Sequence, residues 1–322
     1  MQPTLGIVVP CYNEQEVLHD TIKELIRVID SLIEKNLASA SSKIFFVDDG
    51  SRDATWSLIE QATKSQKYVC GVKLAGNVGH QNALIAGLTA ATDFCDVMIS
   101  IDADLQDDVD VIEGMMVKYA QGSDIVYGVR KSRDTDTFFK KNSALLFYKL
   151  MNSLGAKTVY NHADYRLMSK RAVDQLLAYP ERNMFIRGVV PLIGFRTDTV
   201  TYDRKARTAG ESKYPLKKMI SFAVDGITSF SVRPIRLIFF AGLLMLLATI
   251  SVSIYTLIAY FSGTALPGWT SLMLSLWFIG SLLLIALGII GEYIGKIYIE
   301  VKHRPRFLIE KCEVKENSDS TK

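Results

Sequence analysis

Two carboxylates and an amide follow an apolar stretch of the chain at close spacing. Asp102 and Asp104 stand two residues apart, and Gln106 comes two residues later, directly after the run Val97–Ile101. A short, β-branched run of this kind predicts a buried strand of a parallel sheet. Carboxylates at the carboxyl end of such a strand can turn toward one point, and hard oxygen ligands suit Mg²⁺ or Mn²⁺. The alternative is a solvated acidic turn, which an isolated Asp-x-Asp would favour.

The surrounding sequence predicts the sheet that would position these side chains. Short apolar strands alternate with amphipathic helices, which is typical of βαβ units and a parallel sheet. The predicted strands are Leu5–Pro10, Lys43–Val47, Val69–Leu74, Val97–Ile101 and Asp124–Val129. The predicted helices are Glu14–Glu34, a helix starting near Ala54, Gln81–Ala91 and Val109–Ala120. Polar clusters follow four of the strands, at Tyr12–Glu14, Asp48–Asp53, Asn77 and Asp102–Gln106. Together these clusters indicate a nucleotide site at one edge of the sheet.

Beyond residue 130 the sequence becomes basic and amphipathic. The segment Arg130–Met151 predicts a helix lying on an anionic membrane surface, and a helix packed on the core is the open alternative. A second amphipathic segment is Pro215–Phe230, and Phe195–Arg204 alternates like a strand. Asp164–Arg166 precedes another helix, which favours a cap or a surface ion pair. On composition, Arg207–Lys213 is a solvated loop.

Two uncharged apolar segments near the C-terminus predict membrane spans. Leu237–Phe261 and Trp269–Ile290 each exceed the length of about 20 residues that crosses a bilayer. Basic residues on their outer flanks place those flanks in the cytoplasm. The N-terminus also lacks the features of a signal peptide. We therefore expect a multi-pass plasma (inner) membrane protein: a cytoplasmic domain over 1–230, two transmembrane helices over 231–295, and a cytoplasmic tail over 296–322 that is disordered from Glu313.

The composition narrows the possible partners. A formal charge of +3 on 322 residues is too small to indicate nucleic acid. The four cysteines show neither metal-ligand spacing nor a disulfide pattern, so buried free thiols are expected.

Four motifs resemble those of family 2 glycosyltransferases, at Val9–Glu14, Asp48–Ser51, Asp102–Gln106 and Arg207–Lys213. More narrowly, the chain is similar to the polyprenyl-phosphate glycosyltransferases, which include the bactoprenol glucosyltransferases and dolichol-phosphate mannose synthase. The similarity runs from about residue 5 to residue 308 and includes both apolar spans. It implies an α/β fold of the GT-A type, with a mostly parallel sheet, interfacial helices and two C-terminal transmembrane helices. The pair Asp107-Asp108 departs from the family, in which a proline often follows the glutamine, and we expect it to alter the turn more than the metal site.

The resemblance also implies roles for residues on the donor side. The side chains that would contact the nucleotide-sugar donor are Pro10, Tyr12, Glu14, Asp49 and Ala103. The first four would line the base and ribose. Asp102, Asp104 and Gln106 would hold Mg²⁺ or Mn²⁺, which bridges the donor's diphosphate.

Four cations complete the implied site. Arg207 and Lys213 would close over the diphosphate and help to neutralise the leaving nucleotide. Arg130 and Arg133 would receive the acceptor's phosphate, because the arginine fork matches phosphate oxygens.

These features favour transfer of a sugar, glucose or N-acetylglucosamine from UDP, to undecaprenyl or another polyprenyl phosphate at the cytoplasmic membrane face. A lipid phosphate is already an anionic nucleophile, so the task is to bring two anions together and stabilise the leaving diphosphate. The family reaction inverts the anomeric carbon, and relatives imply a homo-oligomer, a tetramer. A processive polysaccharide synthase is one alternative, although its Gln-x-x-Arg-Trp motif is missing because no Arg-Trp pair occurs. A non-catalytic membrane scaffold is the other.

Overall fold

The computed structural model describes residues 2–130, 162–182, 186–203 and 268–314, with single positions between 235 and 262. The strands are β1 (Leu5–Cys11), β2 (Lys43–Asp48), β3 (Val69–Leu74), β4 (Val97–Ser100), β5 (Ile125–Arg130), β6 (His162–Ser169), β7 (Thr197–Tyr202) and β8 (Ile309–Glu313). The helices are α1 (Leu18–Glu34), α2 (Thr55–Ser65), α3 (His80–Ala91), α4 (Val111–Ala120), α5 (Lys170–Ala178), α6 (Ile186–Val189, continued by the 3-10 helix Val190–Ile193) and α7 (Trp269–Val301).

The eight strands of the described residues form one mixed sheet in the order β7-β5-β6-β4-β1-β2-β3-β8. Strands β1 to β4 are mutually parallel, and β5 is parallel to β7. Strand β6 runs antiparallel to both β4 and β5, and β8 runs antiparallel to β3 at the edge. The prediction of a mostly parallel sheet is confirmed, and the predicted strands agree with the observed ones to within two residues at each end.

Helices cover both faces of the sheet, which is why its strands are continuously apolar. Alternate residues of β1 point in opposite directions, so that Ile7 and Val9 join a core with helices α1, α2 and α4. Val8 faces the other way, toward helix α3. Helix α1 buries a stripe at helical spacing, consisting of Leu18, Ile22, Leu25, Ile29 and Leu32. Three of the four cysteines are buried free thiols, as expected, and Cys312 on β8 is exposed.

Helix α3 approaches the sheet closely at Gly87. A Cβ atom placed there would lie 2.4 Å from Val8 Cγ1 and 2.6 Å from Val47 Cγ2. We expect Gly87→Ala to lower the free energy of unfolding by about 1–3 kcal/mol, because the helix must move off the sheet. Gly114 of α4 is the matched control, since its added Cβ would meet only Val200, at 3.5 Å. Thermal unfolding should show a lower midpoint for Gly87→Ala and an unchanged or higher one for Gly114→Ala. Equal midpoints would contradict the close packing.

The interpretation of Asp164–Arg166 as a helix cap or surface ion pair is wrong. These residues lie inside β6, between β4 and β5, and the Arg166 side chain is fully buried. The cap of the following helix is Ser169, whose hydroxyl accepts a hydrogen bond from the Ala172 N–H. The alternation that places Asp164 and Arg166 on one face of a strand was present in the sequence, but its β character was not inferred.

Within the described residues, one helix is long and apolar enough to cross a membrane, over Phe278–Val301. It belongs to α7, which extends eleven residues beyond the predicted end of the second span at Ile290. Helix α7 ends where His303 adopts a left-handed conformation with a φ of 47°. The first predicted span lies largely outside the described residues, and the single positions described there, such as Leu244 and Ile258, are helical.

The chain after α7 returns to the sheet. Strand β8 pairs with β3, and the Lys311 ammonium bridges the carboxylates of Glu60 and Glu313. Part of the region expected to be a cytoplasmic tail therefore completes the edge of the sheet. The predicted amphipathic helices, beyond Arg130 and over Pro215–Phe230, lie outside the described residues.

Candidate active site

The order in which the parallel strands are added to the sheet reverses at β1. The chain steps outward from β1 to β2 and β3, then returns to place β4 on the other side of β1. In open α/β sheets such a switch point leaves a crevice at the carboxyl ends of the two strands, where ligands bind. Tyr12 and Asn13 follow β1 at this edge, and the acidic segment Asp102–Gln106 follows β4. The structure thus brings together two of the predicted polar clusters.

The acidic segment is a tightly held turn. The Asp104 carboxylate accepts a hydrogen bond from the Gln106 N–H at 3.2 Å, and Leu105 between them has a φ of 47°. The buried Ala103 offers its carbonyl oxygen to the Thr21 hydroxyl of helix α1 at 2.7 Å. Gln106 is also buried. Helix α1 therefore fixes the turn that carries the two carboxylates.

The charge in the crevice suits a divalent cation. The Asp102 side chain is 46% exposed and lies 3.5 Å from His80 Nε2. Desolvation raises the pKa of Asp102, and so do the negative charges of Asp164, Asp107 and Asp104, although the neighbouring His80 acts in the opposite direction. Among the described residues, no three His, Cys, Asp or Glu side chains form a metal cluster by themselves. The arrangement fits a cation held by one or two carboxylates together with a ligand's phosphates, as is usual for Mg²⁺.

The loop after β2 is locked to the start of helix α3. The buried Asp49 carboxylate accepts hydrogen bonds from the Val78 N–H at 2.7 Å and the Gly79 N–H at 3.0 Å. Gly50, with a φ of 66°, leaves no room for a side chain, since a Cβ would lie 2.7 Å from Asn77 N. Burial raises the pKa of Asp49, although its two amide donors act in the opposite direction.

The loop after β1 is tied to the loop after β2. The Asn13 N–H donates to Ser51 Oγ at 3.0 Å, and the Glu14 N–H donates to Thr55 Oγ1 at 2.9 Å. Tyr12 is 42% exposed, whereas Pro10 is buried within β1. Of the predicted nucleotide contacts, Tyr12 is therefore the one with an open ring surface.

Arg130 at the end of β5 is held by two side chains. Its Nη2 lies 3.1 Å from Asp107 Oδ1, and its Nε donates to the Tyr202 hydroxyl at 3.3 Å. The other predicted cations, Arg133, Arg207 and Lys213, lie outside the described residues. The structure thus places one of the four predicted phosphate-binding side chains.

A partly buried ionic cluster next to Asp102 was missed by the sequence reasoning. Asp164 accepts hydrogen bonds from both Arg187 Nε, at 3.1 Å, and Arg187 Nη2, at 2.8 Å, and from Arg166 Nη2. Burial acts to raise the pKa of Asp164, but Arg187 and Arg166 outweigh it and hold the pKa well below its usual range. Helix α3 positions Arg187, because Gln81 Oε1 accepts the Ile186 N–H at 2.9 Å. The signal available in the sequence was the Asp-x-Arg spacing on one strand face.

An α/β sheet with an acidic turn and hydrogen-bonded loops at its switch point is typical of the nucleotide-binding α/β class of proteins. Residues 6–177 match the model of the family described as Glycosyl transferase family 2. The chain belongs to this family, and it is a glycosyltransferase with a GT-A-like fold.

Individual relatives cover nearly the whole chain. It is 56% identical over 309 residues to the uncharacterized glycosyltransferase YkoT of Bacillus subtilis (strain 168), covering 96% of this chain and 92% of that protein. It is 38% identical over 312 residues to the bactoprenol glucosyl transferase of Shigella phage SfII, covering 95% of this chain and 97% of the phage protein. Among solved structures, the mannosyltransferase PcManGT of Pyrobaculum calidifontis, in complex with GDP-Man and Mn²⁺, is similar with a TM-score of 0.46 and 16% identity, covering 94% of this chain and 86% of that one.

Proposed function

We propose that this protein transfers a sugar, glucose or N-acetylglucosamine, from a UDP-sugar to undecaprenyl or another polyprenyl phosphate at the cytoplasmic face of the membrane. The observation that carries the proposal is the acidic turn Asp102–Gln106, which hydrogen bonds hold in place at the switch point of the sheet. The 38% identity to a relative named bactoprenol glucosyl transferase, over nearly the full length of both chains, supports the acceptor.

The residues divide into a donor side and an acceptor side. Strands β1 and β2, which are followed directly by Tyr12 and Asp49, lie on one side of β4, and β5, which ends in Arg130, lies on the other. The donor's nucleotide would bind on the first side, and the acceptor's phosphate would meet Arg130 on the second. Asp102 and Asp104, which follow β4 between these sides, would hold the donor's diphosphate through a divalent cation.

The chemistry needs little proton transfer. An oxygen of the acceptor phosphate forms the new bond to the anomeric carbon while the bond from that carbon to the UDP diphosphate breaks, and attack from the opposite face inverts the configuration. A bound Mg²⁺ or Mn²⁺ would neutralise charge that develops on the leaving diphosphate. Arg130 would contribute by holding the acceptor phosphate in line despite the repulsion between two anions.

The test is a membrane assay with radiolabelled UDP-sugars and undecaprenyl phosphate. We expect label from one UDP-sugar to enter the lipid-extractable fraction, in proportion to added undecaprenyl phosphate, and not with undecaprenol, which lacks the nucleophilic phosphate. Label in a water-soluble polymer would indicate a processive synthase instead. No incorporation from any nucleotide sugar would contradict the proposal.

We also propose that the chain crosses the membrane twice. Strands β3 and β8 are hydrogen-bonded neighbours, so Leu74 and Ile309 lie on the same side of any bilayer. A chain that leaves that side after β7 and is back for β8 crosses an even number of times. If helix α7 is one crossing, a second must lie in residues 203–268, where the apolar segment Leu237–Phe261 is long enough.

Reporter fusions test this topology. A phosphatase that is active only outside the cytoplasm should be active when fused within the loop between Ser262 and Gly268, and inactive when fused after residue 322. A fluorescent protein that matures only in the cytoplasm should show the reverse pattern. The same phosphatase activity at both positions would contradict two crossings. The tetramer implied by the resemblance stays a prediction, which the mass of the detergent-solubilised protein would check.

A further inference from the structure

Asp107, one residue beyond the acidic turn, is the centre of a buried hydrogen-bonded cluster. Its Oδ1 accepts a hydrogen bond from the Tyr202 hydroxyl at 2.6 Å and another from Arg130 Nη2 at 3.1 Å. Arg130 Nε also donates to the Tyr202 hydroxyl at 3.3 Å. The Asp107 side chain is only 3% exposed, whereas that of Arg130 is 26% exposed. One buried oxygen of Asp107 thus holds the partly exposed Arg130 guanidinium in two ways. It accepts a hydrogen bond from Arg130 directly, and it also accepts one from the Tyr202 hydroxyl, to which Arg130 donates.

The strands around this cluster make it rigid. Arg130 and Tyr202 are register partners on the parallel strands β5 and β7. The Tyr202 ring packs edge-to-face on Tyr165, with ring centroids 5.5 Å apart, and the Tyr165 hydroxyl donates to the Asp108 carbonyl at 3.0 Å. Gly128 leaves the space that these rings occupy, because a Cβ there would lie 2.9 Å from Tyr165 Cδ1. Both tyrosines are buried, so their rotamers are fixed by packing.

The cluster joins two parts of the site that are far apart in sequence. Asp107 directly follows Gln106, the last residue of the acidic turn, whereas Arg130 ends a strand 23 residues later. In the sheet order, β5 lies on the side of β4 away from β1 and β2. The contact therefore connects the acidic turn to the arginine on the proposed acceptor side.

We infer that Asp107 and Tyr202 are positioning residues that hold Arg130 ready for the phosphate of the lipid acceptor. The inference rests on the proposed function and adds two residues to it. A flexible arginine loses conformational entropy when it binds phosphate, and an arginine already fixed by Asp107 and Tyr202 loses less. The pair Asp107-Asp108, which departs from the family motif, thus has a role in the site besides shaping the turn.

The test is steady-state kinetics of the full-length protein in lipid vesicles, with undecaprenyl phosphate and the UDP-sugar that the wild type uses. We expect Asp107→Asn and Tyr202→Phe each to raise the KM for undecaprenyl phosphate about tenfold. The first removes the negative charge that attracts the Arg130 guanidinium, and the second removes a hydroxyl that is hydrogen-bonded to both charged groups. The KM for the UDP-sugar should change less than about twofold in each, since Arg130 lies on the acceptor side. Tyr202→Phe keeps the ring that packs on Tyr165, so it provides the result if Asp107→Asn fails to fold.

A double-mutant cycle separates positioning from a general structural effect. If Asp107 acts through Arg130, Asp107→Asn should add less than about twofold to the KM of Arg130→Ala. Asp198→Asn is the matched control, because Asp198 also lies on β7 and pairs with Lys118 at 2.7 Å. It should leave both KM values unchanged.

Two kinds of failure can be told apart. Equal increases in both KM values, or full additivity with Arg130→Ala, overturn the inference alone. A wild-type protein that transfers no sugar to undecaprenyl phosphate overturns the proposed function and this inference with it.

Discussion

Asp104→Ala is expected to lower sugar transfer by at least about a thousandfold while the protein still folds and inserts into membranes. Asp104 follows β4 within the acidic turn, and its removal takes away one of the two carboxylates that would hold the cation. A cation that stabilises the leaving diphosphate contributes several kcal/mol, and each 1.36 kcal/mol changes the rate about tenfold. The measurement is initial rate at saturating UDP-sugar and lipid, with Mn²⁺ varied. A calorimetric titration of Mn²⁺ in the presence of UDP should show weakened binding.

Asp110→Ala is the control for this change. Asp110 lies six residues further along, is 62% exposed and pairs with Arg27 at 2.7 Å on the surface. Surface pairs of this kind contribute about 0–1 kcal/mol, so activity and stability should be retained. If Asp104→Ala kept wild-type turnover at every Mn²⁺ concentration, Asp104 would not be a metal ligand. If both variants lost activity equally, the effect would be one of folding.

The largest stability effect is expected from Asp164→Ala. The change leaves Arg166, fully buried in β6, without the carboxylate that compensates its charge. Arg166 Nε and Nη1 already have no hydrogen-bond partner within the described part of the chain. Removing one partner of a buried ion pair costs about 3–5 kcal/mol, which is a large share of the stability of an ordinary domain. Thermal unfolding at pH 7 should show a midpoint lower by about 10 °C.

The pH of this measurement matters. The pKa of Asp164 is lowered on folding by Arg187 and Arg166 against the effect of burial. The carboxylate therefore contributes its full stabilisation above its unfolded pKa of about 3.9, and the contribution is lost as the pH falls below that value. At pH 7 the comparison with the wild type reports the whole contribution.

Two further variants make the Asp164 prediction specific. Asp198→Ala breaks the surface pair with Lys118, whose side chain is 31% exposed, and should shift the midpoint little. Arg166→Met in the Asp164→Ala background removes the uncompensated charge, so it should recover most of the lost stability. An unchanged midpoint for Asp164→Ala, or no recovery in the double variant, would show that the Asp164–Arg166 ion pair does not contribute this stabilisation.

Much of the proposed donor side of the site could be predicted from local sequence. The runs that form β1 to β4 are apolar because both faces of the sheet are covered, and each run ends abruptly in polar residues. Since the strands are parallel, their polar ends had to meet at one edge. This placed Tyr12 and the turn Asp102–Gln106 beside the same crevice before any contact was known.

The contacts of the proposed acceptor side could not be predicted in this way. Arg130 was expected to face a phosphate, but its contacts with Asp107 and Tyr202 depend on a parallel pairing of β5 with β7, 72 residues apart. Likewise, the pairing of β6 with β4 makes Asp164 a neighbour of Asp102. The residue spacing within β5 or β6 does not indicate which strand will lie beside it.

The amino-acid sequence determined strands β1 to β5 and β7, helices α1 to α4, the acidic turn and the apolar C-terminal region, because hydrophobic periodicity and turn chemistry act over a few neighbouring residues. The tertiary structure alone decided that β6 inserts antiparallel between β4 and β5, that β8 returns to the edge beside β3, and that Asp107 and Asp164 pair with distant arginines. The reason is physical: strand order and ion pairing are fixed by which buried surfaces and charges satisfy each other once the chain is compact, and those partners are separated by tens to hundreds of residues.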